Sequence, residues 1–128
     1  NIICYESSMP VIVRKLVKTG AQFITIQAND GWLGRSAGPY QHFELAKLRA
    51  IENRVPIVRC ANTGISGVIN SIGIVQHKIP LGKKSIIKAD ILPAQNLTFY
   101  TKYGEVFAIL CIIVSLIMFT AVWINRTK

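Results

Sequence analysis

Cysteine and histidine are sparse in this sequence of 128 residues, which holds three of the first and two of the second. The cysteines, Cys4, Cys60 and Cys111, are odd in number and the last lies inside a long apolar run, so no disulfide framework is implied. There is no CxxC pair, and His42 and His77 stand far apart, so no metal centre is indicated. Acidic residues are also few: six Asp and Glu face fifteen Lys and Arg, a formal net charge of +9. The cations are scattered, with only short pairs such as Arg14-Lys15 and Lys83-Lys84, which argues against a nucleic-acid surface. Internal repeats and low-complexity segments are missing. So are an initial Met and a targeting segment: the chain opens at Asn1 inside an apolar run and reads as a piece of something longer.

Charge is wholly absent from residues 106–124, VFAILCIIVSLIMFTAVWI. At the helical rise this run spans about 28 Å, close to the hydrocarbon thickness of a bilayer. It therefore reads as a transmembrane helix, with Tyr100, Tyr103 and Trp123 near its ends, where amphipathic rings favour the membrane interface. The tail 125–128 carries Arg126 and Lys128, which favour the cytoplasmic side and place residues 1–105 outside. Without those two cations, 13 basic and 6 acidic residues leave the preceding part at +7, suited to anionic headgroups.

The rest alternates strand and helix patterns. An apolar run ends near Cys4, and Pro10 then suits a first helical turn with Ser7 or Ser8 as its cap. Ile12, Val13, Leu16 and Val17 form the stripe of that helix, and Gly20 its stop. Residues 22–28 favour a strand and 29–34, NDGWLG, a loop. Residues 39–53 place Phe43, Ala46, Ala50 and Ile51 at helical spacing, leaving Glu44, Lys47 and Arg54 for the other face. On the same helix, Arg49 and Glu52 suggest a surface ion pair. PIVRCAN, SGVINS, IVQHKI and SIIKADI are four strand-like runs separated by turns at Asn62-Thr63-Gly64 and Ser71-Ile72-Gly73 and a connection over 80–84. This order predicts an α/β layer over 1–92 with later strands antiparallel, a linker over 93–105, the transmembrane helix over 106–124 and a cytoplasmic tail over 125–128.

A lone cysteine on an apolar strand is usually structural. Cys4 differs because it ends a strand just before a turn into a helix. There a sulfur can project from the sheet edge while the next N–H groups, Tyr5 first, point at a developing oxyanion. Glu6 is close enough to influence that site and also suits a helix cap. In NDGWLG, Trp32 could line an apolar pocket or simply pack in an exposed turn.

The ordered set ICYES, NDGWLG, GPYQHFELAKLRAIEN, VRCANTGISGVI and TFYTKYG before a final apolar helix resembles the C-terminal portion of the apolipoprotein N-acyltransferases, the membrane branch of the nitrilase or carbon-nitrogen hydrolase superfamily. The resemblance covers essentially the whole chain. It implies the C-terminal part of a nitrilase-like αββα sandwich followed by one transmembrane helix, with strands from outside these residues completing the sandwich. It implies a Glu-Lys-Cys triad whose nucleophile matches Cys4 and whose Glu and Lys precede Asn1. Tyr5 and Glu6 match the catalytic residues after the nucleophile, and Asn29, Asp30 and Trp32 match substrate-binding loop residues. Cys60 stands where a small residue is expected, which argues for packing and not for a second nucleophile.

By the same resemblance, Cys4 takes a fatty-acyl chain from a membrane phospholipid as a thioester and passes it to the N-terminal amine of a diacylglyceryl-modified apolipoprotein. No cofactor is implied. The expected location is the bacterial inner membrane, multi-pass in the full-length protein, with the catalytic domain on the periplasmic side. Two other readings stand beside it: a membrane-tethered amidase that passes the acyl group to water, and a non-catalytic fragment, since this chain alone lacks the Glu and Lys and is expected to be inactive.

Overall fold

The computed structural model describes residues 1–126. Thr127 and Lys128 of the expected tail lie outside the described residues. Five strands form one mixed sheet in the order β1-β2-β3-β4-β5: β1 Ile2–Ile3, β2 Ile24–Ala28, β3 Ile57–Ala61, β4 Ser66–Ile69 and β5 Val75–Ile79. The first three are parallel, with Ile2 opposite Ile26 and Ile26 opposite Arg59, whereas β4 and β5 return antiparallel through short turns. Between parallel neighbours the chain crosses over through α1 (Pro10–Lys18) and α2 (Gly38–Asn53). Because strand order steps in one direction, two crossovers of the same hand put both helices on one face.

That face is the core. Ile24 and Ile26 on β2 and Ile57 on β3 point into it, meeting Val13 and Val17 of α1 and Phe43, Ala46 and Ala50 of α2, all buried. Strand alternation sends Thr25, Gln27, Val58 and Cys60 to the opposite face, which no helix among the described residues covers. A groove of about 390 Å³ runs along this bare face between the sheet and residues 83–91.

Four expectations are corrected. The run SIIKADI is not a strand: Gly82, at φ +72° with its N–H donating to Thr63 O, turns the chain away from the β5 edge, and Ile86 is 93 % exposed. Neither serine caps α1, whose N-cap is Met9, because Ser7 is turned inward and bonded elsewhere. Ile51 is exposed, unlike Phe43, Ala46 and Ala50 on the same helix. The Arg49–Glu52 pair is not on the surface. Arg49 is buried and donates to Glu52 at 2.7 Å, and desolvation pushes the Glu52 carboxyl up from its ordinary range while Arg49 opposes that and Glu105 adds to it.

Residues 93–105 hold a short helix, α3 (Phe99–Tyr103), that docks on the domain. Buried Thr101 donates to Asn53 Oδ1, Thr98 Oγ1 donates to Glu52 O, and Arg14 of α1 donates to the carbonyls of Thr101 and Lys102. Beyond Gly104 runs α4 (Val106–Arg126), an apolar helix exposed along its whole length and long enough to cross a membrane.

Candidate active site

Parallel strands deliver the residues that follow them to one edge of a sheet, where open α/β folds bind ligands. Here β1 delivers Cys4, β2 delivers Asn29 to Trp32, and β3 delivers Asn62 to Gly64. Cys4 opens a 3-10 turn, Cys4–Ser8, with φ +48°. A left-handed backbone at a residue with a side chain costs about 1–3 kcal/mol and persists only where the surroundings impose it. The turn is held from several sides. Glu6 Oε2 accepts from Ile3 N–H at 2.9 Å, and Ser7 Oγ donates to Cys4 O at 2.8 Å. Cys4 itself is half-buried, its sulfur 3.9 Å from Asn29 O, and the first N–H groups of a helical turn have no partner within it.

Behind the turn lies a buried polar cluster. His42 of α2 places Nε2 at 2.9 Å from Ser7 Oγ and 3.1 Å from Cys4 O. Its Nδ1 is 2.9 Å from Asp30 Oδ1, and Arg59 of β3 donates to Asp30 Oδ2 at 2.7 Å. Ser7, Asp30 and Arg59 are at most 1 % exposed and His42 is 7 % exposed. Gly64 makes room for this: a Cβ there would overlap the Asp30 carboxylate.

The expected substrate-binding residues separate. Trp32, on the 3-10 turn Gly31–Leu33, is 70 % exposed beside the site, and Tyr5 is 62 % exposed. Asn29 uses Oδ1 to tie two loops, accepting from Gly31 N–H at 3.1 Å and Asn62 Nδ2 at 2.8 Å. Asp30 departs from the expectation of a substrate contact: it is buried with both oxygens engaged, because the loop two residues past β2 turns it toward His42 of α2. Cys60, expected to be packed, is exposed on the bare face, since it follows inward-facing Arg59 on a strand that alternates. Cys111 is exposed on α4.

From the sequence Ser7 carries only the reading of a helix cap, His42 only that of a histidine too far from His77 for a metal centre, and Arg59 none. The available signal was Arg59, a charge at an inward position between Ile57 and Ala61, which requires a buried partner.

A profile of the carbon-nitrogen hydrolase family matches residues 2–95. The chain is 39 % identical over 111 residues to the apolipoprotein N-acyltransferase of Geobacter metallireducens, covering 87 % of this chain and 21 % of that protein. It is 42 % identical over 112 residues to that of Chlorobaculum tepidum, covering 88 % and 21 %. The chain thus spans about one fifth of the length of these curated relatives. The crystal structure of a carbon-nitrogen hydrolase from Helicobacter pylori superposes on 64 % of this chain and 36 % of its own, with TM-score 0.57 and 15 % identity. That of Saccharomyces cerevisiae Nit3, of the nitrilase superfamily, superposes on 64 % and 33 %, with TM-score 0.51 and 22 % identity. The match over 2–95, the shared fold and the Cys4 turn at the carboxyl edge together place this chain in the carbon-nitrogen hydrolase family.

Proposed function

We propose that the protein carrying this chain is a membrane-bound N-acyltransferase in which Cys4 is the nucleophile. The observation that carries this is the Cys4 turn: a half-buried thiol, on a left-handed backbone, at the carboxyl edge of β1 and followed by helical N–H groups. Support for a lipid substrate comes from the exposed Trp32 and Tyr5 beside it, from the apolar helix α4, and from the names of the relatives.

In this scheme the Cys4 sulfur, its proton taken by a carboxylate, attacks the ester carbonyl of a phospholipid acyl chain. The tetrahedral intermediate collapses to a thioester and the lysophospholipid alcohol leaves with a proton. The neutral N-terminal amine of a diacylglyceryl-modified apolipoprotein then attacks the thioester, an amide forms, and sulfur is released. Tyr5 N–H is the proposed oxyanion donor from these residues, and the resemblance assigns the base and a stabilising Lys to residues preceding Asn1. Glu6 supports the turn through Ile3 N–H. Anchoring at the periplasmic face of the inner membrane would bring both lipid substrates to one enzyme. The bare face of the sheet would meet the second sheet of the αββα sandwich.

Incubating the membrane protein with phospholipid and no acceptor should add one acyl mass to the Cys4 peptide, removable by hydroxylamine. A diacylglyceryl peptide should then collect it as an amide. Cys4→Ala should abolish both steps, while Cys60→Ala and Cys111→Ala keep them. Acyl label on Cys60, or transfer by Cys4→Ala, would sink the assignment. Free fatty acid as the main product in the presence of the peptide would favour the amidase reading, which the hydrolase description of the matched family supports.

A further inference from the structure

Ser7, His42 and Asp30 line up like the members of a hydrolytic triad, but Ser7 is fully buried and cannot meet a substrate. The contacts of this row lead elsewhere, to the carbonyl oxygen of Cys4. Ser7 Oγ, His42 Nε2 and Cys4 O form a closed triangle with sides of 2.8, 2.9 and 3.1 Å. The carbonyl brings no proton and the hydroxyl brings one, so all three sides are attractive only when Nε2 also carries a proton. Ser7 then donates to Cys4 O, and Nε2–H is shared between Ser7 Oγ and the same carbonyl. On the far side Nδ1 makes one directed bond at a time, accepting from Arg59 Nη2 at 3.0 Å or, when it carries a proton, donating to Asp30 Oδ1 at 2.9 Å, and Arg59 and Asp30 are themselves joined at 2.7 Å. Arg59 is itself anchored by its Nε–H to Ile65 O at 3.2 Å. A chain of buried, directional bonds thus runs from the middle of the sheet to the backbone of the one non-glycine residue of the turn with positive φ.

We infer that His42, oriented by Asp30 and Arg59 and joined by Ser7, is the positioning element of the nucleophile: two donors on Cys4 O hold the strained turn, and with it the sulfur and the N–H groups that follow. This rests on the reading of Cys4 as nucleophile. His42 acts through the backbone and not on the sulfur, since its ring contacts are to Cys4 O, Ser7, Asp30 and Arg59. Releasing the carbonyl lets Cys4 relax toward negative φ, moving the thiol away from the acyl carbonyl. A misplacement of about 1 Å costs on the order of a hundredfold in rate. Substrate binding, made by other groups, is unaffected.

The test uses the full-length membrane protein in detergent with a p-nitrophenyl ester as acyl donor, reading nitrophenolate release and the mass of the Cys4 peptide. His42→Leu should slow acylation of Cys4 by about a hundredfold with KM nearly unchanged. His42→Gln, whose amide can put an N–H near the position of Nε2, should recover much of that loss. Gly64→Ala, which touches no atom of the turn and displaces Asp30, should resemble His42→Leu. If His42→Leu fails to fold, Ser7→Ala, which removes one of the two donors, should still lower kcat alone. Wild-type rates in His42→Leu or in Ser7→Ala would overturn the inference, as would equal losses in the Leu and Gln variants. A wild-type enzyme acylated on Cys4 by the ester but not by phospholipid would overturn only the lipid reading. Failure of Cys4 to react with either donor would overturn the nucleophile assignment and this inference together.

Discussion

Arg59 and Cys60 are neighbours on β3 and live in opposite surroundings. Arg59 faces the helices, fully enclosed and bonded to Asp30 and Ile65 O, while Cys60 faces the bare side and lies open in the groove. The covered face can hold an ion pair because α2 supplies His42 and excludes water, and its cost is offset by directed bonds. The bare face carries intermediate and polar residues such as Val58 and Gln27, and among the described residues its Thr25 side chain makes only an exposed bond to Asn1 Oδ1. One face of the sheet carries the network that reaches the Cys4 turn; the other is left open by the described residues.

The strongest way to break this contrast is Arg59→Leu, which strands the Asp30 carboxylate in the core beside His42. Losing one partner of a buried pair costs about 3–5 kcal/mol, to be read from denaturant unfolding of the membrane protein. A loss comparable to that of Cys60→Ala would erase the distinction between the faces. The covered side extends to α3, so Thr101→Val, which leaves Asn53 Oδ1 without its donor, should cost about 1–3 kcal/mol and raise amide exchange in α3. Unchanged exchange there would mean that α3 is held by the chain on either side and not by the domain.

Cys60 sharpens the comparison from the bare side. Cys60→Ala should change stability by no more than about 0.5 kcal/mol in the 128-residue chain, and the thiol should react readily with a water-soluble maleimide. In a longer chain that supplies the second sheet of the family, the same thiol should be protected. Equal labelling in both would show that nothing covers this face.

The smallest expected effect is at Tyr100, whose phenol is pushed up to about 12 by desolvation first and by its hydrogen bond to Glu105 second. A raised folded value favours the neutral phenol in the native state. Its contribution to stability is therefore fully present below pH 10.0 and is lost as pH rises through about 12. Phenolate absorbance on alkaline titration should show one late-titrating tyrosine, absent in Tyr100→Phe. Titration of all tyrosines together near the ordinary value would contradict it.

Much of the architecture was legible because its signals are local. Pro10 and the stripe through Val13 and Val17 define α1, Phe43, Ala46 and Ala50 define the buried side of α2, and an uncharged run defines α4. The run SIIKADI carried the same β-favouring residues as true strands and failed, because a strand needs an edge to pair with and Gly82 directs the chain elsewhere. The candidate nucleophile was legible through its neighbours Tyr5 and Glu6 and its place before a turn. Its support was not, since Ser7, Asp30, His42 and Arg59 come from four separate segments with no spacing to link them.

The sequence by itself determined α1, α2, most of the strands, the apolar helix and Cys4 as the residue to suspect, because period, turn chemistry and charge depletion act over a few residues. Only the tertiary structure decided that Asp30 turns inward, that Arg59 is buried while Cys60 is open, and that His42 reaches the Cys4 carbonyl. Those outcomes depend on which face of the sheet the crossover helices cover. Strand order and crossover hand fix that choice, and they are properties of the assembled chain.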